Sequence, residues 1–391
     1  MSHDPWATLH RGDESYAGSR SFDRLREAVA DVMGFERVVP THQGRGAENV
    51  LYGALVEAGD VVPNNTHFDT TRAHVANQGA DPVDCPLETG LDPDAEHPFK
   101  GNMDVDALRA AVDEAGAENV PAVVLTVTNN LMAGQPVSIG NTRKVAAVAE
   151  EVDATFVIDA CRFADATVAE IAREQLSYAD AVTMSGKKGA LRNVGGFVAC
   201  REEPPFERCK ERSILYEGFS TYGGLAGRDL EAMAVGLREA VERRYVTDRL
   251  ESVAALGRRL VEAGVPVFQP FGGHAVYVDA EQFLPHIEPS AFPGQALTCA
   301  CYLEGAVRGV ELGSFAFPGT DRPELMRLAL PRRTYGREHL EHVAETVAAV
   351  YERRETVPGL DLASEPSTPE LRHFSAELRP RGEMGPGAVR Q

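Results

Sequence analysis

Two adjacent lysines, Lys187 and Lys188, lie on a short Ser-Gly turn in the segment TMSGKKGALRNVGG, between an apolar run and a glycine pair. One strand-helix-strand unit earlier, ATFVIDACR predicts a strand that ends at Asp159 and is followed by Arg162. A carboxylate that emerges from an apolar strand is costly to bury unless it meets a cationic partner. Because neighbouring strand ends meet at one sheet edge, Asp159 and Lys188 are candidate catalytic groups.

A third feature adds a phosphate site. The segment THQGRGAENVL predicts a glycine-bearing turn in which Arg45 opens a helix, and the amides and dipole of a helix N-terminus suit a phosphate. Singly, each feature has a common structural explanation, since strand-end aspartates often cap turns and paired lysines are usually solvated. Their order and spacing favour pyridoxal phosphate: a lysine forms the Schiff base, an acid keeps the pyridine nitrogen protonated, and the cradle holds the phosphate.

Composition excludes several other classes. The chain has 391 residues, with 59 acidic against 39 basic side chains and a formal net charge of -20, which repels nucleic acid and anionic lipid. It shows neither a basic and then apolar signal at its start nor an apolar run near the ~18 residues of a spanning helix. The sequence therefore predicts a cytoplasmic protein that binds neither nucleic acid nor membranes.

Metal chemistry has weak support in the sequence. The six cysteines contain no CxxC pair, so neither a zinc knuckle nor a disulfide framework is indicated. The segment HFDTTRAH, from His67 to His74, has no HExxH or similar spacing, so a structural role for these histidines is favoured. A metal hydrolase is an open alternative at this point.

Apolar runs alternate with helix-period segments between about residues 20 and 205. The pattern predicts strands at 120–130 and 154–162 and helices at 138–153 and 166–179. Such alternation indicates an α/β fold with a mostly parallel sheet covered on both faces. Ligands of such sheets bind beyond the carboxyl ends of the strands.

The pattern changes near residue 245. A long amphipathic helix at 247–264 precedes shorter strand-like runs, which predicts a smaller α+β domain. We therefore expect a large cofactor-binding domain at 1–245, a small C-terminal domain at 246–378, and a disordered Gly/Pro/Arg-rich tail at 379–391.

Nearly the whole chain resembles one family. The blocks THQGRGAEN, VPNNTHFDTTRAH, PFKGNMDV, GQPVS, TMSGKK, TYGGLAGRDLEA, GGHAVYVDA, FPGQAL and LPRRTY are similar, in order, to those of the tryptophanase and tyrosine phenol-lyase family of pyridoxal-phosphate β-eliminating lyases. The resemblance runs from Gly12 to about Leu378 and is closer to the tryptophanase form. It implies the aspartate-aminotransferase-like fold, known as fold type I, and a homodimer or homotetramer.

The resemblance also implies roles for individual residues. Lys188 would carry the cofactor, and Lys187 would support nearby cation or water structure. The other implied cofactor contacts are Gln43, Gly44, Arg45 and Ser185 at the phosphate, Phe68 on the ring face, Asp159 at the pyridine nitrogen, and Asn130 and Arg162 at the ring hydroxyl.

Implied substrate contacts follow in the same way. Arg332 would bind the substrate carboxylate through its guanidinium fork, and Tyr16 would protonate the leaving group. Phe219 and Tyr222 would reach across a dimer interface. With these groups, Lys188 would remove the α-proton, and elimination would yield pyruvate and ammonium.

The resemblance further implies a monovalent cation site. Glu14 and Asn193 match residues that bind potassium in the family. Family members have a leader of several dozen residues before the GDESYAGS block, and that leader supplies a further partner for the cation. This chain begins almost at the block, so we expect a leader to be missing.

The leaving group is predicted from three positions. Asp69 follows the stacking phenylalanine where phenol-lyases have threonine, and Leu312 stands where they carry an arginine for the phenol hydroxyl. His373, in LRHF, matches the tryptophanase form.

The leading hypothesis is conversion of L-tryptophan to indole, pyruvate and ammonium. The alternatives are a β-lyase or β-replacement enzyme for another β-substituted amino acid, such as an S-substituted cysteine, and a catalytically impaired cofactor-binding protein.

Overall fold

The computed structural model describes residues 3–13, 17–165, 167–320, 322–366 and 372–385. The chain forms two compact units. The first unit comprises Met1–Leu87, Phe99–Met132 and Pro136–Asp248, and the second comprises Glu88–Pro98, Ala133–Gln135 and Arg249–Gln391. The change of unit at residue 248 lies close to the expected boundary at 245. Two short segments, 88–98 and 133–135, belong to the second unit although they lie within the predicted first domain.

The secondary structure alternates strands and helices through the first unit. The strands are β1 (Arg37–Thr41), β2 (Val61–Asn64), β3 (Asp81–Asp84), β4 (Ala122–Thr126), β5 (Thr155–Asp159), β6 (Ala181–Ser185), β7 (Gly196–Cys200), β8 (Ala275–Asp279), β9 (Val310–Leu312), β10 (Leu325–Ala329), β11 (Leu360–Ser364) and β12 (Glu377–Pro380). The helices are α1 (His3–Leu9), α2 (Arg20–Met33), α3 (Gly44–Leu55), α4 (Asp69–Asn77), α5 (Glu88–Leu91), α6 (Val105–Ala115), α7 (Ile139–Glu151), α8 (Ala169–Leu176), α9 (Gly186–Gly189), α10 (Glu203–Tyr216), α11 (Gly227–Ala240), α12 (Arg243–Glu262), α13 (Ala280–Phe283), α14 (Pro293–Gly305), α15 (Arg337–Glu352) and α16 (Arg372–Ser375).

Local sequence signals set several helix ends. Ser19 caps α2, with its side-chain oxygen accepting the amide of Phe22 at 3.0 Å, and the helix ends at Gly34 with φ of 78°. Only glycine adopts that left-handed conformation without strain, so the residue type fixes the stop. Asp104 and Ser138 cap α6 and α7 in the same way as Ser19.

A mixed, mostly parallel seven-stranded sheet organises the first unit, in the order β1-β7-β6-β5-β4-β2-β3. Strands β2 to β6 pair in parallel, and β7 is antiparallel to both β6 and β1. Consequently β1, β2, β4, β5 and β6 all end at the same edge of the sheet. The predicted α/β fold with a mostly parallel sheet is confirmed.

Both faces of this sheet are covered. In β5, Phe156 and Ile158 join one hydrophobic cluster, whereas Val157 between them joins another. This alternation follows from the period of two in a strand. Helices α2, α6, α7, α8 and α11 contribute to the first cluster, and α3 and α10 contribute to the second. Burial on both faces explains why these strands read as continuous apolar runs.

The second unit is a smaller α+β assembly. Its three-stranded antiparallel sheet has the order β8-β10-β9, and β11 pairs with β12. The core combines apolar side chains from α12, α14 and α15 with those of the sheet; among its members are Val253, Leu260, Val278, Leu297, Met326 and Val347. None of the helices in the described ranges is long and apolar enough to cross a membrane.

The end of the chain differs from the expected disordered tail at 379–391. Arg379 and Pro380 belong to β12, in which Arg379 pairs with Asp361 and Leu378 with Leu362. Backbone pairing with β11 satisfies the amides and carbonyls of this segment in spite of its composition. Residues 386–391 lie outside the described ranges.

Candidate active site

The site is built at the edge where the parallel strands end. Asp159 is the last residue of β5 and lies in register with Thr183 of the adjacent strand β6. Strand β6 ends at Ser185, and the four-residue helix α9 then carries Lys188. The predicted placement of the acid and the lysine at neighbouring strand ends is confirmed.

The two lysines differ in their surroundings. Lys187 is exposed, whereas Lys188 is half-buried. Burial lowers the pKa of Lys188, and the nearby Arg162 guanidinium lowers it further, while Asp159 opposes these effects. A lowered pKa makes the neutral amine more available, and the neutral amine is the form that acts as a nucleophile or base.

An aromatic ring lies among these charges. Phe68 immediately precedes α4, and its ring centroid is 5.4 Å from Lys188 Nζ and 5.8 Å from Arg162 Cζ. Arg162 follows β5 and is only 8 % exposed. The ring thus stands beside the lysine and the arginine, as stacking on a cofactor held between them would require.

These residues border one small pocket. Its lining comprises Glu48, Thr66, Phe68, Thr126, Asn129, Asn130, Leu131, Asp159, Cys161, Arg162 and Lys188. Five predicted cofactor residues, Phe68, Asn130, Asp159, Arg162 and Lys188, are therefore in one place, all within the first unit.

Asp159 fits the pyridine nitrogen of a bound cofactor. The carboxylate is 5 % exposed, and its Oδ1 accepts the amide of Cys161 at 3.0 Å. Within the described ranges no lysine, arginine or histidine forms an ion pair with it. The carboxylate of Asp159 is thus buried at the wall of the pocket and has no ion-pair partner in the described part of the chain. A ligand with a protonated ring nitrogen would supply one.

The predicted phosphate cradle lies at the start of α3. Gln43 precedes the helix in extended conformation, and Gly44 is its first residue. A Cβ at Gly44 would stand 2.8 Å from the Cβ of Ser185, so the helix start and the end of β6 approach closely enough to require glycine. Ser185 is buried, and Arg45 in the first turn is exposed. The first amides of a helix have no intrahelical partner and can donate to a phosphate between these two elements.

Sequence reasoning missed several residues that line the pocket. Glu48 is 4 % exposed, and its Oε1 accepts the hydroxyl of Thr71 at 2.6 Å. Asn129 is fully buried; its Oδ1 accepts the hydroxyl of Thr66 at 2.6 Å, and its Nδ2 has no hydrogen-bond partner among the described residues. One signal pointed to Glu48: it lies one helical turn after Gly44, on the face of α3 that packs inward.

His67, the first histidine of the segment His67 to His74, has a structural role. His67 is fully buried, and its Nδ1 is 2.8 Å from Oδ1 of Asp84, which also accepts the backbone amide of His67 at 2.7 Å. Asp84 forms a second contact with Arg72 at 2.7 Å. Asp69, the predicted indole contact, is the half-buried first residue of α4.

Three further predicted residues of the first unit lie apart from the pocket lining. Phe219 is half-exposed and contacts Tyr222 edge to face, with a centroid distance of 5.9 Å. Asn193 is exposed. Glu14 and Tyr16 lie outside the described residues, so the proposed cation partner and proton donor have no structural description.

The second unit carries the remaining three predicted residues. Leu312 ends β9 and is buried, and Arg332 follows β10 and is half-buried. His373 lies in α16 with its ring centroid 3.8 Å from that of Phe374. These three residues belong to a different unit from Lys188. The roles of Arg332 and Leu312 as substrate contacts and of His373 as a catalytic residue stay predictions.

The sheet, the buried strand-end acid, the lysine after the next strand and the glycine-led helix start define a pyridoxal-phosphate-dependent enzyme of fold type I. Solved structures share this fold: a Sphingomonas wittichii serine palmitoyltransferase matches with a TM-score of 0.66 and 16% identity over 92% of this chain and 86% of that chain. A Pyrococcus protein designated A1 matches with a TM-score of 0.68 and 16% identity over 90% of this chain and 88% of that chain.

The chain belongs to the β-eliminating lyase family, whose model matches residues 1–346. It is 60% identical to a probable tryptophanase of Halobacterium salinarum, over 97% of this chain and 88% of the relative. A tryptophanase of Salinibacter ruber is 49% identical over 97% and 85%, and a tyrosine phenol-lyase of Pasteurella multocida is 43% identical over 97% and 88%. The family resemblance in the sequence is therefore confirmed.

Proposed function

We propose that this β-eliminating lyase uses pyridoxal phosphate to release indole from L-tryptophan, with pyruvate and ammonium as the other products. The observation that carries the proposal is the pocket at the sheet edge, which brings Lys188, Asp159, Arg162 and Phe68 together. Higher identity to relatives named tryptophanase, at 60% and 49%, than to one named tyrosine phenol-lyase, at 43%, supports tryptophan as the substrate.

When bound, the cofactor supplies an electron sink for the negative charge that develops at the α-carbon. Asp159 would hold the ring nitrogen in its protonated form, and Arg162 and Asn130 would hold the ring hydroxyl. Phe68 would stack on the ring. The amides at the start of α3, together with Ser185, would hold the phosphate.

Lys188 has two tasks in this proposal. Its Nζ would hold the cofactor covalently at rest, and as a free amine it would accept the α-proton of the substrate. The lowered pKa of Lys188, caused first by burial, keeps that amine competent as a base. Arg332 would orient the substrate carboxylate, Tyr16 would give a proton to the leaving carbon, and Asp69 would accept the indole N–H. Leu312 would be a further substrate contact, and His373 a further catalytic residue.

A product assay tests the substrate. Cofactor-loaded protein is incubated separately with L-tryptophan, L-tyrosine and S-methyl-L-cysteine, and pyruvate and indole are measured. We expect pyruvate and indole in equal amounts from tryptophan, with slower pyruvate release from the other two. Pyruvate from the cysteine derivative without indole from tryptophan would favour the second candidate, a lyase for other β-substituted amino acids. A visible cofactor band without pyruvate from any of the three would favour an impaired cofactor-binding protein.

Cation dependence and assembly complete the proposal. We expect activation by potassium, with Glu14 and Asn193 as ligands, and the test is turnover in potassium chloride against choline chloride at equal ionic strength.

The protein would act in the cytoplasm as a homodimer or homotetramer, with Phe219 and Tyr222 at a subunit interface. Leu215 and Tyr216, close to Phe219 in sequence, are 79 % and 57 % exposed in the single chain. Such large exposed apolar side chains support an interface with a second copy at this surface.

A further inference from the structure

Glu48 is a second carboxylic acid in the pocket that contains Asp159. It is the fifth residue of α3, one turn after the glycine that opens the helix, and it is 4 % exposed. The pocket lining includes its side chain together with Asp159 and Lys188. The family roles implied for the cofactor pocket leave Glu48 without a function.

The contacts of Glu48 are hydroxyl groups. Thr71 of α4 donates to its Oε1 at 2.6 Å. No lysine, arginine or histidine of the described ranges forms an ion pair with it. One turn further along α3, the side chain of Tyr52 is fully buried, and its hydroxyl has no hydrogen-bond partner among the described residues. Among the described residues, Glu48 therefore has hydroxyl contacts but no ion-pair partner.

Two carboxylates in one buried pocket do not both ionise readily. Burial and, to a smaller extent, the charge of Asp159 raise the pKa of Glu48 to about 7, against the hydrogen bonds from Thr70 and Thr71 and the attraction of Lys188. The other titratable neighbours are Tyr52 and Cys161, and burial raises the pKa of each well above its ordinary value. Near neutral pH both of these groups stay uncharged, so among Glu48, Tyr52 and Cys161 it is Glu48 that changes charge.

We propose that Glu48 is a positioning residue that acts through Asp159: its protonation state sets how strongly Asp159 holds the proton on the cofactor ring nitrogen. With Glu48 neutral, Asp159 is the single negative charge behind the ring. When Glu48 loses its proton, a second negative charge lies in the pocket and favours retention of the proton on the ring nitrogen that Asp159 would contact. The proton released by Glu48 goes to solvent. This inference rests on the proposed use of pyridoxal phosphate.

The test is the visible absorbance of the holoenzyme as a function of pH, without substrate. We expect the wild-type spectrum to contain a titration component with a midpoint near pH 7, and we expect Glu48→Gln to lose that component while retaining the cofactor band. Glutamine keeps the size and the hydrogen-bond acceptor of the side chain but cannot ionise. The matched control is Glu57→Gln, just after α3, where the side chain is exposed and the titration should match that of the wild type.

A second variant tests the same idea without removing the carboxyl group. Thr71→Val removes a hydrogen bond that favours the ionised form of Glu48. We expect the midpoint to move upward by about one pH unit. This variant decides the question if Glu48→Gln fails to fold or to hold the cofactor.

The outcomes separate this inference from the proposed function. Superimposable titrations of the wild type and Glu48→Gln, both with a cofactor band, would overturn the role of Glu48 and leave the cofactor assignment intact. An unchanged midpoint in Thr71→Val would do the same. A wild-type protein that shows no visible band after incubation with pyridoxal phosphate would overturn the proposed function, and with it this role.

Discussion

At the scale of single residues, burial gives two adjacent lysines different chemical properties. Lys187 and Lys188 are adjacent, yet only Lys188 borders the pocket with Asp159 and Arg162. Desolvation and a neighbouring guanidinium lower the pKa of Lys188, whereas Lys187 is exposed to solvent. Position after β6 therefore distinguishes Lys188, the lysine proposed to react, from Lys187, although the two share a residue type.

Asp159→Asn tests the charge that the pocket holds for the cofactor. Asparagine retains an oxygen for the Cys161 amide but removes the negative charge. We expect turnover of tryptophan to fall on the order of 10²-fold or more, with the cofactor band retained, because a preorganised charge at the ring nitrogen is lost.

Asp180→Asn is the matched control for this substitution. Asp180 precedes β6, at the opposite edge of the sheet, where its Oδ2 accepts the Phe156 amide at 2.8 Å. It should leave turnover within about twofold, since the charge that it removes is distant from the reaction centre. Equal losses in both variants would contradict a specific role for Asp159.

The sequence predicts some site residues better than others. Asp159 and Lys188 are predictable because each follows an apolar strand and parallel strands end at one edge. Glu48 and Asn129 are not, because their role depends on how α3, α4 and the loop after β4 pack around the pocket. The second carboxyl group emerges only when these elements are placed in three dimensions.

At the scale of elements, the start of α3 and the end of β6 approach each other closely at the proposed phosphate site. Gly44→Ala places a Cβ 2.8 Å from that of Ser185, so the first turn of α3 must shift. We expect the affinity for pyridoxal phosphate to fall roughly tenfold because the helix amides are displaced. Gly140→Ala in α7 is the control, since its Cβ would meet only Ser138 Oγ at 4.0 Å. Fluorescence titration with the cofactor measures the affinity of both variants. Equal affinities would contradict a phosphate site at the start of α3.

The loop after β9 depends on two buried acids of the second unit. Oxygens of Glu311 accept the amides of Phe315 and Ala316 at 3.2 and 2.9 Å, and Glu324 accepts the amide of Ser314 at 2.8 Å. Burial and, to a smaller extent, the charge of Glu324 raise the pKa of Glu311 to about 8. This loop directly follows Leu312, so its conformation bears on a predicted substrate contact.

Glu311→Gln tests the linkage between this acid and stability. Glu311 binds its proton more tightly in the folded state than in the unfolded chain, where its ordinary value of 4.5 applies. Unfolding then releases a proton, so stability falls as pH rises from about 4.5 to about 8. We expect the variant to weaken that fall, by on the order of 1 kcal/mol per pH unit, in urea unfolding curves. Glu281→Gln, at an exposed position of α13, should keep the wild-type slope; a wild-type slope in Glu311→Gln would contradict the linkage.

The elements themselves were largely predictable from sequence. The expected strand at 154–162 and helix at 138–153 correspond to β5 and α7, because continuous apolar runs and 3.6-residue periodicity are strong local signals. The membership of 88–98 and 133–135 in the second unit was not predictable, because it depends on contacts with residues distant in sequence. The same reason applies to β12, whose partner β11 supplies the pairing that its composition does not indicate.

At the scale of the whole molecule, an exposed apolar surface and the net charge of the chain both bear on assembly. Ile214, Leu215, Tyr216 and Phe219 are 50 % exposed or more at the end of α10 and the following loop, in a chain of net charge -20. Copies with such a charge repel one another, so stable association requires apolar burial that exceeds this repulsion.

Leu215→Glu tests whether this surface assembles copies of the chain. We expect light scattering to show a lower mass than for the wild type, because a charge is placed in the proposed interface. Ile171→Glu, in α8 at 49 % exposure, is the matched control and should keep the wild-type mass. An unchanged mass in Leu215→Glu would place the interface elsewhere.

The central claim is that the pocket at the sheet edge is a pyridoxal-phosphate centre with Lys188 as its covalent attachment point. Borohydride reduction of the holoenzyme fixes the cofactor to its lysine, and peptide mass spectrometry then locates it. We predict the modification on Lys188, with Lys187 unmodified, and loss of the modification in Lys188→Ala but not in Lys187→Ala. A cofactor fixed to Lys187 or to another lysine, or a modified peptide that persists in Lys188→Ala, would contradict the account.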